Sequence, residues 1–134
     1  MATAVCRVRV PETIDSGFQV LIAQLGQLGA SLVNPGNSKI TSWTDEGEQV
    51  EIDPAAIAEG VSSLRLKNVQ LWMATDQDVF MSWSIENGDA EFSFYLDGLD
   101  ADVAKQFVSV LVDVVLCKYR TQYGESVALA IVFE

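Results

Sequence analysis

Two acidic stretches have spacings that could do chemistry: Asp76 and Asp78 in "DQD", and Asp97, Asp100 and Asp102 in "DGLDAD". Both invite a calcium site. An EF-hand loop needs ligands at alternate positions, a glycine at the sixth and a glutamate at the twelfth, and neither stretch supplies them. A tight hairpin loop and a helix N-cap account for these residues, so no metal site is expected. A nucleophile needs a base beside it. The chain has no histidine, which removes the imidazole base and the commonest transition-metal ligand. Gly-x-Ser-x-Gly, a phosphate loop and Gly-x-Gly-x-x-Gly are also missing. Paired carboxylates could serve a glycosidase, but nineteen acids, mostly at turn positions, single out no pair. No catalytic residue, cofactor or metal ligand is assigned, and the expectation is a protein that is not an enzyme.

The acids matter more as a field. Eight Lys and Arg against nineteen Asp and Glu give a net charge of -11, which repels nucleic acid and anionic membranes and attracts basic proteins. Their distribution is uneven. Asp45, Glu46, Glu48, Glu51, Asp53 and Glu59 lie between Lys39 and Arg65 with no cation among them. Asp76, Asp78, Glu86, Asp89, Glu91, Asp97, Asp100 and Asp102 lie between Lys67 and Lys105, again with none. Such acids can simply guard sheet edges and keep the chain soluble, or they can rim a docking face for a basic protein.

At 134 residues and 49% hydrophobic the chain is expected to fold as a single α+β domain, 1–134, around one core. "MATAVCRVRVPE" has no apolar run of a signal peptide, and no stretch is long enough to span a membrane, so a cytoplasmic address is expected. "AVCRVRV" alternates as a first strand. Phe18, Leu21, Ile22, Leu25, Leu28 and Leu32 then recur at helical spacing up to "NPG" at 34–36, with close approach to a sheet as the reason for the glycines between them. "ITSWTDEGEQVEID" is read as a hairpin with Glu46-Gly47 as its loop, pairing Trp43 with Val50 and Thr41 with Ile52. Asp53, Pro54 and Gly60 bound a short helix, and a strand follows with a bulge expected near Lys67-Asn68. A second long helix, N-capped by Asp100 and almost wholly apolar between 103 and 117, precedes a last strand, "SVALAIVFE". The order implies an antiparallel or mixed sheet of about six to seven strands with two long helices on one face. Cys6 and Cys117 fall on the expected core faces of a strand and a helix, where a free thiol acts as a small hydrophobe.

The strongest local signal is "FMSWSIENGDAEFSFYL", residues 80–96. With Asn87-Gly88 as a two-residue turn, Glu86 faces Asp89, Ile85 faces Ala90, Trp83 faces Phe92, Met81 faces Phe94 and Val79 faces Leu96. One face is then core. A three-residue loop at 76–78 would place the preceding strand with Met73 opposite Met81 and Trp72 opposite Ser82. Trp72, Phe80 and Tyr95 thereby form a diagonal cluster on the other face. They are either covered by the chain's own first helix or 41–52 hairpin, or they are a contact surface. The candidate partner-binding set is Trp72, Phe80 and Tyr95 as apolar anchors with Glu91, Asp76 and Asp78 as the acidic rim.

In general character the whole chain resembles the immunity proteins of bacterial toxin–immunity pairs: small, acidic, rich in aromatics and without a catalytic centre. That resemblance rests on composition and architecture and transfers no residue. It implies a cognate, basic toxin domain whose active site an acidic surface occludes, in the setting of bacterial antagonism. Two other classes stay open. One is a secretion adaptor or chaperone that clasps an apolar client segment. The other is a small self-associating domain, a homo-dimer through the apolar second helix.

Overall fold

Alternation makes the first strand, β1 (Ala4–Val10), with Cys6, Val8 and Val10 buried. Thr13 then caps the first helix, its hydroxyl accepting from the Ser16 amide, and α1 (Ile14–Leu28) turns Ile14, Phe18, Leu21 and Leu25 inward. In this computed structural model, which describes residues 2–134, the helix ends at Gly29 (φ 110°), well before the "NPG" of 34–36. Glycine takes the left-handed conformation without a Cβ clash, and that stops the helix. The segment beyond it runs beside the sheet instead, where Ser31 exchanges two backbone hydrogen bonds with Trp72. Close approach explains Gly17 alone of the helix glycines: a Cβ there would lie 3.0 Å from the Phe92 ring, whereas Gly26 and Gly29 have open space.

The hairpin of β2 (Ile40–Trp43) and β3 (Gln49–Ile52) departs from expectation by one residue. Ile40 pairs Ile52, Ser42 pairs Val50 and Trp43 pairs Gln49. Its loop is Thr44–Glu48, not Glu46-Gly47: the Gly47 amide donates to the Thr44 carbonyl and the Glu48 amide to Thr44 Oγ1. Asp53 caps a 3-10 turn at Pro54–Ala56 that leads into α2 (Ile57–Ser62). Gly60 lies within α2, not past its end, and its missing side chain lets Leu66 pack 3.0 Å from where a Cβ would stand. Leu64, in a turn with φ 62°, and Leu66 both lie before β4, which begins at Asn68, so their change of phase from Val69 needs no bulge at Lys67-Asn68.

Three strands follow: β4 (Asn68–Ala74), β5 (Gln77–Glu86) and β6 (Asp89–Tyr95). The β5–β6 register matches expectation from Glu86–Asp89 through Trp83–Phe92 to Phe80–Tyr95, with Asn87 (φ 53°) and Gly88 (φ 86°) in the turn. Ile85 shares the core face but is exposed, since it lies at the hairpin tip. The β4–β5 register is shifted. Val69 pairs Met81, Leu71 pairs Val79 and Trp72 pairs Asp78, with a two-residue turn at Thr75-Asp76 and a bulge at Met73. Met73 therefore does not oppose Met81, nor Trp72 Ser82.

The last helix, α3 (Ala101–Asp113), continues into one π turn, Val114–Lys118. The wide turn changes the helix phase, so Tyr119 is buried and Cys117, expected in the core, is exposed. The final strand is β7 (Leu129–Phe133). The strands form an antiparallel sheet in the order β4-β5-β6-β1-β7, and β2–β3 is a separate pair, so the seven strands divide five and two. α1 and α3 pack together on one face of the large sheet. Their aromatics meet the sheet edge-on, Phe18 against Trp83 at 5.2 Å and Phe107 against Phe94 at 5.4 Å. Among the described residues, no helix is long and apolar enough to cross a membrane.

Candidate functional site

The face of the sheet away from the helices carries Gln70 and Trp72 from β4, Asp78, Phe80 and Ser82 from β5, Glu91, Ser93 and Tyr95 from β6, and Arg7 and Arg9 from β1. Phe80 and Tyr95 are directly opposite and touch edge to face, with ring centroids 5.4 Å apart. Trp72, paired with Asp78, is diagonal to Phe80. The three expected aromatics therefore share one face and are half-buried. Their cores differ from that of Trp83, whose indole N–H donates to the Leu66 carbonyl at 3.0 Å in the interior. The Trp72 indole N–H is enclosed and has no hydrogen-bond partner.

Neither α1 nor the 41–52 hairpin folds over this face. α1 is on the opposite side, and β2 lies beside β4, held by Asn68: its Oδ1 accepts from Ser42 Oγ and the Trp43 amide, and its Nδ2 donates to the Trp43 carbonyl. One residue does reach over. The one-residue slip of the hairpin turns the exposed Trp43 toward Gln70, its Nε1 donating to Gln70 Oε1 at 3.3 Å, and Gln70 Nε2 donates on to Asp78 Oδ2 at 2.8 Å. Trp43 is thus a fourth aromatic beside the face, which the expected hairpin pairing had hidden.

The acidic rim differs from the expected one. Glu91 lies opposite Arg9 and pairs with it at 3.6 Å, so it faces a cation instead of presenting a free charge. Arg7 is held by Glu134 at 2.7 Å, and that contact raises its pKa. Lys39–Glu51, Arg65–Glu59 and Lys67–Asp45 take up much of the first acidic run. Five acids outside these ion pairs lie where the chain is stitched between two loops. The Asp78 amide approaches the Gly98 carbonyl, and the Asp100 amide donates to Gln77 Oε1 at 2.8 Å. Asp76 and Asp78 are thereby joined to the loop that bears Asp97, Asp100 and Asp102, all at the sheet end where Phe80, Tyr95 and Trp72 lie. Gly98 is required there, because a Cβ would come within 2.4 Å of the Asp78 carbonyl and carboxylate oxygens. Among the described residues no three acids converge closely enough to hold a metal ion. The cluster is a surface field instead.

The buried thiol of Cys6 is pushed up to about 11 by desolvation, so it is not a nucleophile near neutral pH. No protein family, curated protein or solved structure matches this chain.

Proposed function

We propose that the chain is a binding protein for a basic protein partner, an immunity protein that occludes the active site of a cognate toxin domain. What carries this function is a single juxtaposition: the Phe80–Tyr95 ring pair and Trp72 lie at the end of the sheet where Asp76, Asp78, Asp97, Asp100 and Asp102 collect. Aromatics that are half-buried before binding lose little side-chain freedom on contact and supply desolvated area. The aspartates around them steer a cationic surface and fix its orientation. Glu91 belongs to the ion-paired part of the face and is a lesser contact than the original set of Trp72, Phe80, Tyr95, Glu91, Asp76 and Asp78 implied.

Co-expression is the test. The chain should restore growth to cells poisoned by a basic toxin domain encoded beside its gene, and Asp97→Asn with Asp100→Asn should weaken that protection. A neighbouring product that is neither toxic nor bound by this chain would overturn the function.

A further inference from the structure

The outermost strand, β7, lacks the devices that usually guard a sheet edge. Residues 126–133, "SVALAIVF", contain no charge and no proline. Among the described residues no strand pairs with its outer side. Glu134 exchanges backbone hydrogen bonds with Thr3, and the Ala128 carbonyl accepts from Arg9, so the even-numbered residues bond to β1. The N–H and C=O groups of Leu129, Ile131 and Phe133 therefore point outward. The side chains of these residues lie on the helix side of the sheet; Leu129 is half-buried, but the helices leave the rest uncovered, with Phe133 70% exposed and Ile131 48%, and Val127 just before the strand 71%. Beside them runs a groove of about 400 Å³ between Val112 and Leu116 of the α3 end and Val127 and Leu129.

We infer that β7 pairs with β7 of a second copy of this chain, antiparallel and centred on Ala130. In that register Leu129 opposes Ile131 of the second copy and Val127 opposes Phe133. The Leu129–Ile131 pairs join residues whose backbone groups point outward, so each can form both of its ladder hydrogen bonds, and the same register carries Val127 toward Phe133. A two-fold axis repeats each contact, and Phe133 of one copy enters the groove beside Val127 of the other, reciprocally. Charge selects this occupant. A body of net charge -11 can meet its own copy only where like charges do not face each other, and this strip is neutral. Glu134, already bonded to Arg7, would oppose the neutral Ser126. A cationic partner, by contrast, gains nothing from an uncharged strand. The axis stands perpendicular to the sheet, so the two aromatic faces point the same way and leave their proposed partner sites open.

Sedimentation equilibrium of the full chain should give a dimer. Phe133→Glu and, separately, Ile131→Glu should raise its dissociation constant by at least about tenfold. Because both positions are exposed, each variant should keep its secondary structure by circular dichroism. The register has its own arm. In a Cys117→Ser background, Val127→Cys mixed with Phe133→Cys should give disulfide-linked dimers under mild oxidation, and Val127→Cys alone should not. A chain that stays monomeric at high concentration, a dimer indifferent to both charges, or cross-linking of like with like but not of the mixture would each overturn the proposal.

Discussion

Two tryptophans with opposite surroundings separate the core from the outer face at the level of single residues. Trp83 is buried, packs on Phe18 and donates its indole N–H to the Leu66 carbonyl. Trp83→Phe should strand that carbonyl and leave space, costing about 1–3 kcal/mol. Trp72 has no partner for the same group, so Trp72→Phe removes an unsatisfied donor and should cost distinctly less. Denaturant melts of the two variants compare them directly, and equal losses would mean that the faces are misassigned. Buried ionisable groups give a second expectation at this scale. Desolvation, aided by Glu12, pushes Tyr119 up to about 12, and desolvation pushes Tyr123 to about 12 and Cys6 to about 11. Each folded pKa is raised above the ordinary 10.0 of tyrosine or 9.0 of cysteine, so the protonated form is favoured in the fold. Their stabilisation is complete below pH 9 and is lost as pH rises from 9 toward 12. Circular dichroism at fixed urea should show the midpoint falling across that range and flat just below it with respect to these groups.

Among the elements, the stitch between the β4–β5 turn and the β6–α3 loop holds the acidic end together. Gly98→Ala would drive a methyl group into the Asp78 backbone and should cost about 1–3 kcal/mol, while Gly26→Ala, with open space around it, should not destabilise. Thermal melts read both. The same elements show what the sequence discloses. Asn87-Gly88 demands positive φ at two successive residues, and with large apolar side chains alternating on both sides only one register buries them, so the β5–β6 pairing was legible. The β4–β5 pairing was not. Expected and observed registers differ by four residues, an even number, so both bury Val69 and Leu71 and the hydrophobic pattern cannot choose between them. The bulge at Met73 and the turn at Thr75-Asp76 decide it, and neither has a glycine to announce it. The β2–β3 slip is odd. It therefore moved Trp43 to the other side, through a five-residue loop fixed by Thr44 contacts that composition does not reveal. The end of α1 was signalled by Gly29, but a nearby "NPG" offered a stronger-looking stop. At the candidate site, the aromatic trio was legible from the period-two pattern alone. The loss of Glu91 to Arg9 was not, because it depends on β1 lying next to β6, a pairing distant in sequence.

On the scale of the whole molecule, one end of the sheet carries Asp76, Asp78, Asp97, Asp100 and Asp102 outside the ion pairs found among the described residues, while most of the cations are matched to acids elsewhere. A partner drawn by that end should associate more slowly as the Debye length falls from about 10 to 3 Å with added salt, while dissociation changes less. Stopped-flow association at several salt concentrations measures this, and a salt-independent on-rate would remove steering from the account. The central claim is narrower: the aromatic face is for a partner, not for the fold. It is tested most directly by one variant carrying Phe80→Ser and Tyr95→Ser, measured for both melting temperature and partner affinity. Truncating such anchors should weaken binding by about 2 kcal/mol or more while the melting temperature stays close to that of the native chain. A variant that unfolds, or one that keeps its partner at native affinity, would contradict it.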